Sequence, residues 1–382
     1  MHHFIYATKD TWISSGSNND TGESFKDQNF GRDQILELKK EFFNSSFNYP
    51  TRVLVDFSGT EFNEMSKSIV DGTIPRPQTG SLPGSKFFLR LYEAEGNQEQ
   101  SIEYTLHAQP ISQSWDEGVG KFGDNPKTTN GCSWENRFAL PGATELTWSN
   151  SDGTRAYGVT TLPNSISSST QTFSNESPDV NIDITDMTEM WLNGQAGNYG
   201  VMLRFTGSQE TDATTFGQLK FFSAQTHTIF APRIEIKWDD HKPCTGSNTG
   251  SLTELTMSGA VDNFLYMIGL RESYKMNERV KFRVAGRKEF IQKTFSTSVQ
   301  TISRSFIPEG SGSYSIQDIG TGETVVPFSA FTSMSCDSTS NYFIQYLNGF
   351  YPDRVYKIIY KLKQNDGQEI IHDNDFEFIV RR

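Results

Sequence analysis

The chain has 382 residues, enough for two or three domains with cores of their own. Its formal net charge is −12, and the imbalance lies in the first 250 residues, with 19 basic against 31 acidic side chains, while Ser251 onward holds 15 of each. Such an acidic surface repels phosphate backbones and argues against nucleic-acid binding, and a composition of 35% hydrophobic but 13% aromatic residues, with 29 Phe and 14 Tyr, excludes a disordered chain and points to β-structure packed on rings.

The N-terminal stretch MHHFIYATKDTWISSGS lacks the basic and apolar regions of a signal peptide, and no run of about 18 apolar residues occurs. His2 and His3 are too few to identify a tag. From FIYATKDTWIS through ILELKK, RVLVDFS, KFFLRLYEA, SIEYTLHAQ, ELTWS, VNIDIT, YGVMLRF and LKFFSAQ to RIEIKW, short alternating runs predict strands. SGSNNDTGES, VDGTIPRPQTGSLPGS and LPNSISSSTQTFSNESP read as long loops between them. Together they predict a jelly-roll-like β-sandwich over 1–240. One short helix is expected near 185–193, where Met187, Met190 and Trp191 share a face, Asp186 and Glu189 suit the first turn, and Gly194 can end it. The polar stretch at 241–252 reads as a linker. Beyond it, 253–382 is expected to form a smaller, immunoglobulin-like β-sandwich, so the whole chain is all-β. In QNDGQ the Asp-Gly pair marks a hairpin, because it tolerates the positive φ of a tight turn.

Cys132, Cys244 and Cys336 are far apart and odd in number, which predicts reduced thiols rather than a disulfide framework or a metal site. Asp116 and Glu117 follow Trp115 in SWDEG, and Glu135 follows Trp134. Acids beside aromatics suggest sugar cleavage. Glycosidases, however, aim two carboxyls at one bond from about 5 to 9.5 Å apart, whereas neighbours in an extended strand face opposite ways. The better reading is a structural corner: Trp115 packs under the sheet, Glu117 hydrogen-bonds a loop and Gly118 makes the turn. Trp191 belongs to the core. Trp148, beside a loop, and Trp134 are the candidates for stacking on a sugar. Acid-bearing loops with Asp20 and Glu23, with Asp124, and with Asp239 and Asp240 suggest a structural calcium in the first domain, but none has EF-hand spacing, so no site is defined. His2, His3, His107, His227, His241 and His372 form no ligand pair, and no nucleophile elbow, phosphate loop or dinucleotide fingerprint occurs. No other cofactor and no enzymatic activity are expected.

The order ATKDTWISSGS…NFGRDQILEL, RVLVDFS, KFFLRLYEA, SWDEG, SWEN, DVNIDITDMTEMWLNG, GVMLRF and KFFSAQTHTIFAPRIEIKW resembles the DNRLRE family of carbohydrate-binding-module-like domains, over about 4–238. That resemblance implies a non-catalytic β-sandwich in which Trp115, Glu117, Gly118 and Trp191 are family structural positions. The loop at 119–132 and those at 62–83 and 161–178 are longer than the family pattern. The second part, with TISRSFIPEGSGSYSIQDI, SCDSTSNYFIQYLNGFYPDRVYKIIYKL and DFEFIV, is similar to C-terminal domains of tailed-phage structural proteins. The two resemblances imply a virion component of the neck, collar or tail, assembled in host cytoplasm. Its partners would be other virion proteins, copies of itself in a ring, and cell-surface glycan, with no nucleic acid and no membrane. A bacterial surface carbohydrate-binding protein is the alternative.

Overall fold

The computed structural model describes the whole chain except residues 19–21, 44–45, 78–83, 96–102, 164–167, 175–178, 258–261, 291–294, 296 and 300–302, and except the side chains of 42–48. The chain divides into two compact units, Ile5–Ile236 and a second comprising Met1–Phe4 with Lys237–Arg382. Both are built of β-sheets in a sandwich-like, all-β fold.

In the first unit a large sheet runs in the order Ser169–Ser174, Glu103–Pro110, Val201–Phe205, Ser46–Asp56, Ile35–Phe43, Gly217–Phe222 and Glu93–Glu95, with Lys9–Ser14 paired antiparallel to Ser46–Asp56. In another sheet Lys86–Leu91 pairs antiparallel with Val180–Asp183. The period of two is plain in KFFLRL, where Phe87, Leu89 and Leu91 are fully buried and the residues between them are half-buried. A small ribbon of Asn136–Phe138, Leu146–Ser149 and Arg155–Ala156 stands apart from both sheets.

The expected helix is present at Thr185–Leu192, with Met187, Met190 and Trp191 buried and Gly194 just past its end at φ +68°. A longer one, Thr60–Val70, lies partly in what the sequence reading took for the 62–83 loop. Its buried Phe62, Met65 and Ile69 have helical spacing, and Phe62 meets Trp191 edge-on at 6.1 Å. Ser169–Ser174, also read as loop, is a strand. Its burial is confined to Phe173, as suits an edge strand, so it carries no hydrophobic alternation.

The second unit pairs a sheet ordered Thr253–Glu254, Ser305–Phe306, Arg279–Lys288, Asn341–Tyr346, Ser335–Cys336, with Asn263–Ile268 on Arg279–Lys288, against one ordered Ser273–Lys275, Glu369–Arg381, Arg354–Lys363, Gly312–Asp318, Thr324–Val326. Val280, Phe282 and Val284 are buried in alternation with outward basic residues. Rings from the two sheets interleave: Tyr314 stacks on Phe343 at 3.7 Å, and Phe282 lies 5.1 Å from Phe378. The Asp-Gly hairpin forms as expected, with Gln364 N–H donating to Gln368 O at 2.7 Å and Gly367 at φ +90°.

Two expectations are corrected here. Residues 241–252 are not a linker but part of the second unit. The thiols of Cys244 and Cys336 are not reduced: the two cysteines form a disulfide across 92 residues, with Cα atoms 4.9 Å apart. The bridge anchors the would-be linker, and its long sequence separation is what hid it. Cys132 is the free, buried thiol.

Candidate functional site

The SWDEG corner is held by a dense set of hydrogen bonds, and its hub is a residue that the sequence reading passed over. Asn29 is fully buried. Its side-chain amide donates to the carbonyls of Glu117 and Cys132, both at 2.8 Å, and its Oδ1 accepts from the N–H of Gly31 at 3.1 Å and of Gly120 at 2.8 Å. One amide therefore ties the NFG turn to both ends of the 119–132 loop. The close approach explains the glycines: a Cβ at Gly118 would lie 2.2 Å from Asn130 O, and one at Gly120 would lie 2.3 Å from Asn29 O.

Beneath the corner Trp115 and Trp148 join Cys132, Leu54, Ile111 and Met202 in one apolar cluster, with Trp134 packed against it. The indole N–H of Trp115 donates to Tyr199 O and that of Trp148 to Ser133 O, each at 2.9 Å. Trp148, the expected stacking residue, is fully buried and cannot meet a sugar. The cause is its place in Leu146–Ser149, whose other residues lie outside this core while Trp148 points in. Trp134 is half-buried, and the Arg52 guanidinium lies 4.8 Å over its ring. Arg52 is fixed there by two hydrogen bonds to Glu210, which Arg204 also engages at 2.6 Å. Burial opposes ionisation of Glu210, but these guanidiniums prevail and hold its carboxyl below the usual range.

Asp116 and Glu117 lie outside any strand, so the geometric premise for separating them changes. They nonetheless serve different neighbours. The backbone of Asp116 bonds Arg137 and Cys132, whereas the Glu117 carboxylate accepts from Asp10 N at 3.1 Å and Gln225 Nε2 at 3.3 Å. The acids brought together are Asp10 and Glu117. Asp10 is 1% exposed; its Oδ2 accepts from Ala224 N at 2.7 Å and its Oδ1 has no partner. Burial, with the Glu117 charge adding to it, pushes the Asp10 carboxyl up to about 7. Burial likewise raises Glu117. The Asp10 carboxyl is thus enclosed by the fold. Its signal in the sequence was an acid at a strand position, in KDTWIS.

The 119–132 loop presents Val119 and Phe122, 53% and 49% exposed. Phe122 crowns a ring cluster in which Trp12 stacks on Phe30 at 3.9 Å, and the Trp12 N–H donates to Asp33 at 2.9 Å. With Tyr157, Phe122 is one of the open rings of this unit.

For calcium, Asp20 lies outside the described residues. Glu23 pairs with Lys127, Asp124 accepts from Lys121 N, and Asp239 accepts from His241 N. Among the described residues no group of three or more His, Cys, Asp or Glu side chains could hold a metal ion.

No protein family matches the sequence, and no curated protein matches it. Among solved structures the chain is similar to the adhesin domain of Epf from Streptococcus pyogenes, at 8% identity over 99% of this chain and 97% of that one. The TM-score is 0.19, too low to establish a shared fold.

Proposed function

We propose that the chain is a non-enzymatic structural component of a tailed-phage particle, in the neck, collar or tail, whose first unit serves subunit assembly or glycan contact. The observation that carries the non-enzymatic part is the corner itself. Of the residues that the sequence offered for sugar chemistry, Glu117 and Trp148 are engaged in backbone bonding and packing, and Trp134 is half-buried under Arg52. The order of sequence motifs supports the particle. The Cys244–Cys336 bridge suits a protein that meets an oxidising exterior, as a particle does after release.

The bridge also favours a second reading, a bacterial surface carbohydrate-binding protein. In that case the open rings Phe122 and Tyr157, rather than Trp148, are the contact residues.

The test combines three measurements on the purified chain: polysaccharide hydrolysis, mass in solution, and abundance in particles. The expected result is no release of reducing ends, closed multimers, and a fixed multiple of copies per particle, because heterologous contacts that close give rings. A soluble monomer that turns over a glycan overturns the proposal. Glycan binding lost in Phe122→Ala, with no particle association, selects the second reading.

A further inference from the structure

The two units differ in charge. Of the 19 basic and 31 acidic residues before Ser251, Lys237, Lys242, Asp239 and Asp240 belong to the second unit, so the first holds 17 basic against 29 acidic. Adding those four to the 15 of each kind from Ser251 onward gives the second unit 17 of each, a net charge of zero. That neutrality hides a sorted surface. Along Arg279–Lys288 the positions alternating with buried Val280, Phe282 and Val284 are Arg279, Lys281 and Arg283, and Arg287 continues the outer row opposite Phe264. Arg279 and Lys281 are exposed, Arg283 and Arg287 half-buried.

Each of these cations lies on a ring of a neighbouring strand. Arg279 is 5.4 Å over Tyr346, Lys281 3.5 Å and Arg283 5.8 Å over Tyr342, and Arg287 4.5 Å over Phe264. A guanidinium laid on a ring keeps its N–H edge for an oxygen acceptor such as a carboxylate. Among the described residues one carboxylate serves the whole row: Asp337, which accepts from Lys281 at 2.7 Å and from Arg283 at 2.8 Å. Arg279 and Arg287 form no ion pair among the described residues. Glu278, next to Arg279, is taken by Arg271, and Arg287 donates to the backbone carbonyls of Lys288 and Glu289. The other sheet of the unit differs, for Arg354, Lys357 and Lys361 each pair with an acid, Asp318, Asp373 and Glu369.

A row of uncompensated cations attracts an anionic surface. Free polyanions are repelled by the acidic first unit that every chain carries, whereas the first unit of another copy is itself such a surface. Its helices Thr60–Val70 and Thr185–Leu192, in contact through Phe62 and Trp191, expose Glu64 and Asp186, with Asp71 and Asp183 exposed at their ends. Lys67 is the one cation within the two helices. Ten strand residues at about 3.4 Å each, across three strands about 4.8 Å apart, give the basic face roughly 500 Å². A stable interface takes about 800 Å² per partner, so a single contact here is weak and salt-sensitive and gains strength when several close a ring.

We propose that this basic face docks on the acidic helix pair of a second copy of the chain, with Arg279 and Arg287 as its unpaired charges. It takes from the reading above that copies associate, and nothing about the particle. The test is sedimentation velocity of the full chain at about 20 and about 500 mM salt. Multimers are expected at low salt and monomers at high salt. Arg279→Gln and Arg287→Gln, which break no ion pair, should each raise the dissociation constant about two- to fivefold. Arg279→Glu combined with Arg287→Glu should give monomers at low salt, while Lys357→Gln on the other sheet leaves the multimers in place. Glu64→Lys combined with Asp186→Lys should also give monomers, and mixing the two double variants should restore association, which a folding defect in either would prevent. Multimers that survive the arginine reversal, or a mixture that stays monomeric, overturn the docking and leave the assembly reading standing. A parent that is monomeric at low salt overturns both. If that monomer binds polyglutamate or a heparin oligosaccharide through Arg279 and Arg287, the face takes a free polyanion instead.

Discussion

Asp10 offers the sharpest physical test of the first unit. Its carboxyl is buried beside Glu117 and is pushed from 3.8 up to about 7. Below pH 3.8 Asp10 is protonated in both folded and unfolded chains and exerts no pH effect. Between 3.8 and about 7 the unfolded chain releases the proton while the folded one keeps it, so stability falls as pH rises. Above about 7 both are ionised and the loss is complete. Three pKa units at about 1.4 kcal/mol each put that loss near 4 kcal/mol, an upper figure for one side chain.

Asp10→Asn removes the titration while leaving a carbonyl oxygen to accept from Ala224 N. The variant is expected to be about 2–4 kcal/mol more stable than the parent at about pH 8, with the gain shrinking toward zero or below at about pH 4. Urea unfolding read by tryptophan fluorescence suits the purpose, because five of the six tryptophans, Trp12, Trp115, Trp134, Trp148 and Trp191, lie in this unit. The difference between variant and parent must be read, not the parent alone. Glu210 and Asp212 are held low, against burial, by Arg52 and Arg204 and by Thr215 and Lys40, so they lose stability in acid and mask the trend. A variant less stable than the parent at about pH 8, or a difference independent of pH, would refute the assignment of Asp10 as a strained, buried acid.

Asn29→Ala deletes four hydrogen bonds in the corner and strands one buried and one part-buried carbonyl. A loss of about 3 kcal/mol or more is expected, together with faster proteolysis within 119–131. Under denaturing, non-reducing conditions one thiol per chain, Cys132, should react with a thiol reagent; three would disprove the bridge. Replacing Cys244 and Cys336 by Ala should lower the stability of the second unit by about 2–4 kcal/mol, as expected for opening a long loop in the unfolded chain. Trp148→Ala should cost about 3–5 kcal/mol, and the loss should be the same with and without glycan present. Protection by glycan in the parent that vanishes in this variant would restore Trp148 as a contact.

The strands and the helix at Thr185–Leu192 were legible because each carries its own period: KFFLRL alternates, and Met187, Met190 and Trp191 fall on one helical face. Thr60–Val70 carries a helical period too. It was missed because Ser, Lys and Asn fill its outer face and a Gly/Pro-rich stretch follows, so the segment looked like loop. Ser169–Ser174 has a strand's pairing without its alternation, since one residue, Phe173, faces the core. The disulfide was illegible on different grounds. Its two cysteines are brought together by the pairing of Ser335–Cys336 with Asn341–Tyr346 and by the course of residues 237–252, and neither leaves a mark in cysteine spacing.

Within the corner, legibility followed range of interaction. Trp115, Glu117 and Gly118 were readable as structural because each acts through residue type and local backbone: a ring to bury, an acceptor, a positive φ of +81°. Asn29 and Asp10 were not, because their roles depend on partners about a hundred residues or more away, Glu117 and Cys132 for the one, Glu117 and Ala224 for the other. The same distinction separates the misjudged Trp148 from the correctly judged Trp191. A helix fixes its buried face by spacing, so Trp191 could be placed from Met187 and Met190 alone. In a four-residue strand, whether an alternate position faces in or out is set by which sheet receives it, and Trp148 is received by a core assembled from six other stretches of chain.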